Sequence, residues 1–383
     1  MIAFTLPIAL LSLAIWFGLM VARDGFWLAR DTDEGHATPP PHWPAVTVIV
    51  PARDEAEVIG QAVGSLLTQD YPGELHVILI DDGSSDGTAR IARAAAGGSG
   101  ELIVIDGTPP PPGWTGKLWA MSQGVARAGS DPRWLWFTDA DIAHAPDTLS
   151  SLVARGEAEG LTMNSLMAKL RCDSPAEKAL IPAFVFFFQM LYPFARVSRP
   201  SAKLAGAAGG CMLVRRDALA RAGGLAGIAH AIIDDCALGA EMKAEGPIRL
   251  SLTRRSVSIR PYGGWREIGR MIARSAYAQL RYSPVLLAGT LAGMALLYLA
   301  PPLLALFGAG TVRRLGLATW LLMALLFQPM LRFYGRSPLW GFALPAIGGF
   351  YGVATLVSAV HHWQGRGGMW KGRAQAELER ERR

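Results

Sequence analysis

Charge vanishes from the chain between Ile2 and Ala22, a run of about the 20 apolar residues that a bilayer crossing needs. No Lys or Arg precedes it, and Arg23 and Arg30 follow, which is the pattern of a signal anchor with the next domain in the cytoplasm. From Pro44 to Arg260 the pattern changes to short β-branched runs separated by helical stretches. Val46–Val50, Leu75–Ile80, Leu102–Ile105 and Trp134–Phe137 read as strands, with helices over Ala56–Thr68 and Ser85–Ala96 between the first three. Continuous apolar strands alternating with helices predict an α/β domain with a mostly parallel sheet covered on both faces.

Three more apolar stretches follow, at Pro284–Gly308, Leu315–Leu331 and Leu339–Val360. Pro301-Pro302 interrupts the first and makes it a hairpin or a kinked span. The choice sets the side of the basic tail (Arg366, Lys371, Arg373, Arg380, Arg382, Arg383), because three straight crossings place it outside and a re-entrant first stretch returns it to the cytoplasm. Ile181–Phe194 is too short to span. It reads either as a buried core helix or as a lipid-facing segment in which Phe184, Phe186, Phe187 and Phe188 meet an acceptor. Gly264–Tyr282 sets Trp265, Ile268, Met271, Ile272 and Leu280 among Arg266, Arg270, Arg274 and Arg281, the pattern of a basic amphipathic helix on the inner leaflet. The predicted organisation is an anchor (1–22), a linker (23–43), a globular domain (44–262, halves meeting near 145), an interfacial helix (263–283), a membrane region (284–360) and a tail (361–383).

Composition agrees with a soluble domain carrying membrane segments. Of 383 residues 51% are hydrophobic and 18% charged, below the roughly 25% charged of an ordinary soluble domain. The net charge of +6 suits anionic lipid or a phosphate-rich substrate. No dense Lys/Arg stripe interleaved with aromatics is present, so nucleic acid is not an expected partner. Cys172, Cys211 and Cys236 are odd in number without Cys-x-x-Cys spacing, which predicts no disulfide framework.

Ligands of open α/β sheets bind beyond the carboxyl ends of the strands, and here those ends are polar. Pro51-Ala52-Arg53-Asp54-Glu55 follows the first strand, Asp81-Asp82-Gly83-Ser84-Ser85-Asp86 the second, and Thr138-Asp139-Ala140-Asp141 the fourth. One acidic strand end could be a helix cap; three together repel unless a cation or donors hold them. In extended chain Asp139 and Asp141 share a face and can reach one Mg²⁺ or Mn²⁺. His144 is read as a loop-ordering residue rather than a metal ligand, and His361-His362 as an interface anchor. Pro109–Pro112 is read as a stiff loop, and His230 as a candidate border of an acceptor pocket.

TVIVPARDEAEVIGQAVGSLL, ILIDDGSSDGT, Gly116-Lys117, FTDADI and IIDDCALG occur in an order that resembles family 2 of the inverting, GT-A-fold glycosyltransferases. GWTGKLWAMSQG, AFVFFFQMLYPFARV and GGCMLVRRDAL look more narrowly like the hopene-associated branch. The resemblance implies that Pro51, Arg53 and Glu55 border the nucleotide, Asp82 bonds its base or ribose, and Lys117 faces its phosphates. It implies that Asp139 and Asp141 hold a divalent metal on the diphosphate, and that Asp235, beside Asp234, is the catalytic base. The alternative for Asp234-Asp235 is a cap on helix Cys236–Glu245. Many membrane-bound relatives carry Gln-x-x-Arg-Trp, whereas Ala278-Gln279-Leu280-Arg281-Tyr282 here keeps only the Arg.

The expected activity is transfer of a hexose from a nucleotide sugar, UDP-linked by expectation, to a lipid such as a hopanoid or polyprenol. The expected place is the bacterial inner membrane, crossed several times, with the catalytic domain cytoplasmic. The competing readings are a processive polysaccharide synthase and a silent scaffold for hopanoid-synthesis enzymes.

Overall fold

Val46–Ala52 (β1) is buried at every position, which is why its sequence shows no polar alternation. The computed structural model describes residues 2–35, 37–98 and 100–367, so Lys371, Arg373, Arg380, Arg382 and Arg383 lie outside the described residues. Two units are present: an apolar one of residues 2–30, 172–195 and 262–367, and a sheet unit of residues 31–171 and 196–261. The expected uninterrupted domain over 44–262 is thus broken at 172–195. That segment is a helix whose apolar residues pack with the N- and C-terminal helices.

The sheet has eight strands: β1, Leu75–Asp81 (β2), Leu102–Asp106 (β3), Trp134–Phe137 (β4), Ile142–His144 (β5), Met163–Lys169 (β6), Met212–Arg215 (β7) and Ile248–Ser258 (β8). Their order is β3-β2-β1-β4-β7-β6-β8-β5. The first four are parallel as expected. β7 runs antiparallel to both β4 and β6, and β5 antiparallel to β8, so the second half is mixed. Val48, Val50, Leu79, Trp134, Trp136, Leu152 and Leu213 share its core.

Two helices begin three residues later than their apolar periodicity suggests, at Ile59 and Thr88. The intervening residues knit the strand ends together. Glu55 N–H donates to Thr88 Oγ1 (2.8 Å), Ala56 N–H to Asp86 Oδ2 (2.9 Å), and Ser85 N–H to Asp54 Oδ1 (2.9 Å). Helix Gly116–Arg127 lies close on the sheet at Gly124, where a Cβ would come within 2.5 Å of Ile49 and 2.8 Å of Ile80. The linker is also pinned: Thr32 bridges Leu252, and Asp33 pairs with Arg255 (3.2 Å).

In the apolar unit four helical segments are long and apolar enough to cross a membrane: Phe4–Ala22, Pro284–Phe307, Gly310–Phe333 and Pro338–Trp363. Pro284–Phe307 is continuous, not a hairpin, and absorbs Pro301-Pro302 by a π-helical turn at Ala295–Leu299. Proline at 301 removes the N–H that would bond the Leu297 carbonyl. Trp16 Nε1–H donates to that carbonyl (3.0 Å), and Ser12 Oγ–H to the Leu296 carbonyl (2.9 Å). In hydrocarbon such a group must be satisfied by protein.

Helix Pro175–Leu191 is capped by Ser174 with Glu177 in a capping box. Phe186 is fully buried against Phe26 (5.3 Å between ring centroids) and Phe327 (5.1 Å), and Phe187 packs on Tyr298 and Tyr351. The buried-helix alternative therefore holds for Phe186, while Phe187 is half-buried. Helix Trp265–Gln279 likewise spends Ile268 and Ile272 on burial, and packs along helix Leu344–Trp363 through Gly269 on Phe350 and Tyr277 N–H on Ser358 Oγ (3.0 Å). Its Arg266, Arg270 and Arg274 are exposed. His362 stacks on Tyr282 with ring centroids 4.2 Å apart.

Trp16→Phe keeps a ring and deletes the N–H, and is expected to cost about 1–3 kcal/mol, the penalty of an unpaired carbonyl in apolar surroundings. Thermal unfolding of the detergent-solubilised protein reads this, and an unchanged midpoint would remove the carbonyl's role.

Candidate active site

The carboxyl ends of β1, β2 and β4, the residue pair beyond β8 and the first turns of two helices all bring charge to one region of the sheet unit. Lys117 stands in the first turn of helix Gly116–Arg127, whose start is fixed by Thr115 Oγ1 accepting the Leu118 N–H. Its Nζ lies 2.8 Å from Asp139 Oδ1 and 2.9 Å from Asp234 Oδ2. Asp234 and Asp235 open helix Asp234–Glu245, where the positive end of the helix dipole favours carboxylates. Burial alone would push the Lys117 ammonium down, but Asp139 and Asp234 outweigh it and hold the group above its ordinary range.

Asp235 has a different partner. Its Oδ2 accepts the Gly209 N–H (3.0 Å), and a Cβ at 209 would stand 3.3 Å from Lys117 Nζ and 3.6 Å from that Oδ2. Glycine there lets the backbone reach both groups. Burial, followed by the charge of Asp234, pushes the Asp235 carboxyl up to about 6 against the pull of Lys117.

Asp139 and Asp141 do not share an extended face. The Ile142 N–H returns to the Asp139 carbonyl (3.3 Å), so the chain turns between them. Asp139 goes to Lys117, while Asp141 Oδ2 accepts from Arg260 Nε (3.0 Å) and, more weakly, from Ser258 Oγ (3.4 Å). Arg260 also pairs with Glu55, which is buried. Arg53 pairs with Asp82 and donates to its carbonyl. Pro51 lies on β1 past its last pairing with β4, where no ladder bond needs its missing N–H. Asp54 adopts φ +50°, a left-handed conformation that Asp tolerates, while its N–H donates to Ser84 Oγ (3.0 Å).

The structure thus joins Lys117, Asp139, Asp234 and Asp235 in one cluster, Glu55 and Asp141 in a second through Arg260, and Arg53 with Asp82 in a third. The sequence reading did not single out Arg260, Ser258 or Gly209. Arg260 was legible only as one end of the alternating Ser256-Val257-Ser258-Ile259-Arg260. His144 is buried between Thr138 Oγ1 and Ser256 Oγ, each 2.9 Å away, and burial pulls its imidazole down to about 3. It is neutral and orders the turn that carries Asp139. His230 makes no side-chain hydrogen bond or ion pair among the described residues.

Among the described residues no three His, Cys, Asp or Glu gather as a metal cage. The oxygen set nevertheless fits Mg²⁺ or Mn²⁺, which are commonly held by one or two carboxylates plus substrate phosphates, and the Asp139 side chain keeps 35% of its surface exposed.

Residues 47–223 match the family model described as Glycosyl transferase family 2. Curated relatives include the 4,4'-diaponeurosporenoate glycosyltransferase of Staphylococcus aureus (strains USA300 and NCTC 8325), 36% identical over 117 residues. The match covers 30% of this chain and spans 29% of that relative's length. Among solved structures, the mannosyltransferase PcManGT from Pyrobaculum calidifontis, in complex with GDP-Man and Mn²⁺, superposes with a TM-score of 0.61 at 22% identity. It covers 93% of this chain and 99% of its own. Residues 47–223 are thus similar to family 2 glycosyl transferases, and the sheet unit has the GT-A fold.

The raised Asp235 carboxyl sets a sign for stability against pH. Below the ordinary carboxylate range both folded and unfolded states hold the proton; between that range and about 6 only the folded state keeps it, so stability falls as pH rises through this window. Asp235→Asn cannot ionise, and its denaturation midpoint is expected to gain on wild type between pH 4 and pH 8. A constant difference would contradict the buried, like-charged setting.

Proposed function

We propose that this protein is a membrane-bound inverting glycosyltransferase that moves a sugar from a nucleotide donor to a lipid acceptor. The observation that carries the reading is the gathering of Lys117, Asp139 and Asp235 in one cluster at the strand ends, the region where α/β sheets bind nucleotides. Pro51, Arg53, Glu55 and Asp82 border the nucleotide in this reading. Lys117 neutralises charge that develops on the departing diphosphate. A divalent cation held by Asp139 and Asp141 would supply further neutralisation there.

The acceptor hydroxyl attacks the sugar C1 as its proton passes to Asp235, and the bond from C1 to the diphosphate oxygen breaks. One displacement with one base inverts the configuration at C1. A carboxyl raised to about 6 is basic enough to take that proton and is ionised at neutral pH. Asp234 pairs with Lys117 and stands beside the base.

Four apolar helices in the same chain support a lipid acceptor, and so does a relative named for 4,4'-diaponeurosporenoate. A hopanoid is the acceptor favoured by the resemblance of GWTGKLWAMSQG and GGCMLVRRDAL. Arg23 and Arg30 after the first helix support a cytoplasmic catalytic domain at the inner membrane. The incomplete Gln-x-x-Arg-Trp counterpart at Ala278–Tyr282 argues against a processive synthase.

The full chain in detergent, given UDP- and GDP-sugars, Mn²⁺ and membrane lipid extract, is expected to yield glycosylated lipid by mass spectrometry. Asp139→Asn and Asp235→Asn are each expected to lower transfer about 10²-fold or more. Asp235→Asn should keep donor affinity, since it preserves shape and loses only the base. Full transfer by either variant sinks its assigned role, and collapsed donor affinity in Asp235→Asn makes that residue structural.

A further inference from the structure

Helix Trp265–Gln279 has an apolar side that the chain itself covers and a basic side that it leaves open. Ile268, Ile272, Ala273 and Tyr277 are buried, and Gly269 lies against Phe350. Tyr277 also joins Leu287 and Ala359 in a small core of the apolar unit. That side is engaged by neighbouring helices rather than by lipid. Arg266, Arg270 and Arg274 recur every four residues, so they line up along the helix surface, and all three are exposed. None of the three makes a hydrogen bond or ion pair among the described residues.

The apolar unit has little negative charge to give them. Its carboxylate side chains are Asp24, Asp173, Glu177 and Glu267. Glu177 accepts from the backbone N–H groups of Asp173 and Ser174 (2.8 Å each) and Tyr262 (2.9 Å). Glu267, the acid on this helix, turns back to the Gly263 N–H. Like charges four apart on a helix repel, and among the described residues no carboxylate pairs with these. The surface then changes character over a few residues. Arg281 is exposed, and Val285 and Leu286, at the start of the candidate span Pro284–Phe307, are 79% and 49% exposed. Half-exposed Trp265 stands at the start of the arginine row, and half-exposed Trp363 packs on Tyr277 near its end (5.9 Å between ring centroids). Basic, aromatic and apolar surface following one another in this way is the profile of a membrane–water boundary.

We propose that Arg266, Arg270 and Arg274 form a docking surface for the phosphate headgroups of anionic phospholipids. The inference rests on the reading of this unit as membrane-embedded, and it makes lipid charge part of what the chain recognises. A guanidinium fork matches two phosphate oxygens at once, and these three forks have no partner within the chain to give up first. The apolar side of the helix is already engaged, so the contact comes from charge and not from insertion of this helix. Continuity with the exposed Val285 and Leu286 selects a lipid headgroup over a free phosphate ion, because the same ligand then meets basic and apolar surface together.

The test is native mass spectrometry of the purified full chain in detergent, titrated with phosphatidylglycerol or with phosphatidylcholine. Wild type is expected to hold phosphatidylglycerol about tenfold or more tightly than phosphatidylcholine. Arg266→Gln, Arg270→Gln and Arg274→Gln are each expected to weaken phosphatidylglycerol about fivefold, the worth of one basic side chain at an anionic surface. The three together should abolish the preference, while phosphatidylcholine binding and the melting temperature stay as in wild type, since no intramolecular partner is lost. Changing the same three residues to Lys keeps the charge and should keep most of the preference. Equal affinity of wild type for the two lipids overturns the proposal, and this measurement does not depend on any variant folding. So does a triple Gln variant that prefers phosphatidylglycerol as strongly as wild type does. A chain recovered in the soluble fraction of cells, binding neither lipid, overturns the membrane reading itself and this inference with it.

Discussion

Too many carboxylates gather at the strand ends for the sheet to hold them without help, and compensating them organises the region. Glu55, the Asp139/Asp141 turn and Asp234 arrive from three places in the chain because strand ends and helix starts converge at one edge of a GT-A sheet. Lys117 and Arg260 bridge them in pairs. Each bridge ties elements distant in sequence: the start of helix Gly116–Arg127 to that of helix Asp234–Glu245, and the end of β8 to the loop after β1. Close backbone approaches make the bridges possible, at Gly124 on the sheet and Gly209 beside Asp235.

The same compensation separates the roles of the acidic residues. Asp234 shares Lys117 with Asp139. Asp235 instead accepts backbone N–H groups from Gly209 and Cys236 in desolvated surroundings, and its proton affinity rises. Burial, followed by the neighbouring Asp234 charge, is what raises Asp235.

In the apolar unit the governing constraint is the unmet backbone group. Pro301-Pro302 strips donors from a long apolar helix, and the structure answers with a π turn plus the side chains of Ser12 and Trp16 from the first helix. The rings of Phe186 and Phe187 lock this unit internally, against Phe26, Phe327, Tyr298 and Tyr351. Part of the apolarity in Ile181–Phe194, that of Ile181, Val185 and Phe186, is therefore accounted for by burial.

The sequence by itself determined the parallel strands β1 to β4, their polar ends and the apolar helices. Period and charge are local properties, and a buried parallel strand must be apolar on both faces. Asp139 and Asp141, just past a strand, and Asp235, after the apolar Ile232-Ile233, stood out locally as candidates, whereas Lys117 entered only through the family resemblance. Tertiary structure alone decided who compensates whom. The turn between Asp139 and Asp141 sends neighbouring carboxylates to different cations. Arg260 reaches Asp141 across 119 positions because β8 and β5 pair antiparallel. Whether Pro301-Pro302 broke its helix was likewise undecidable locally, because the groups that meet the freed carbonyls lie more than 280 residues away. Charge pairing and carbonyl capping depend on distance in space, and one-dimensional spacing carries no information about that until the sheet and the helices close.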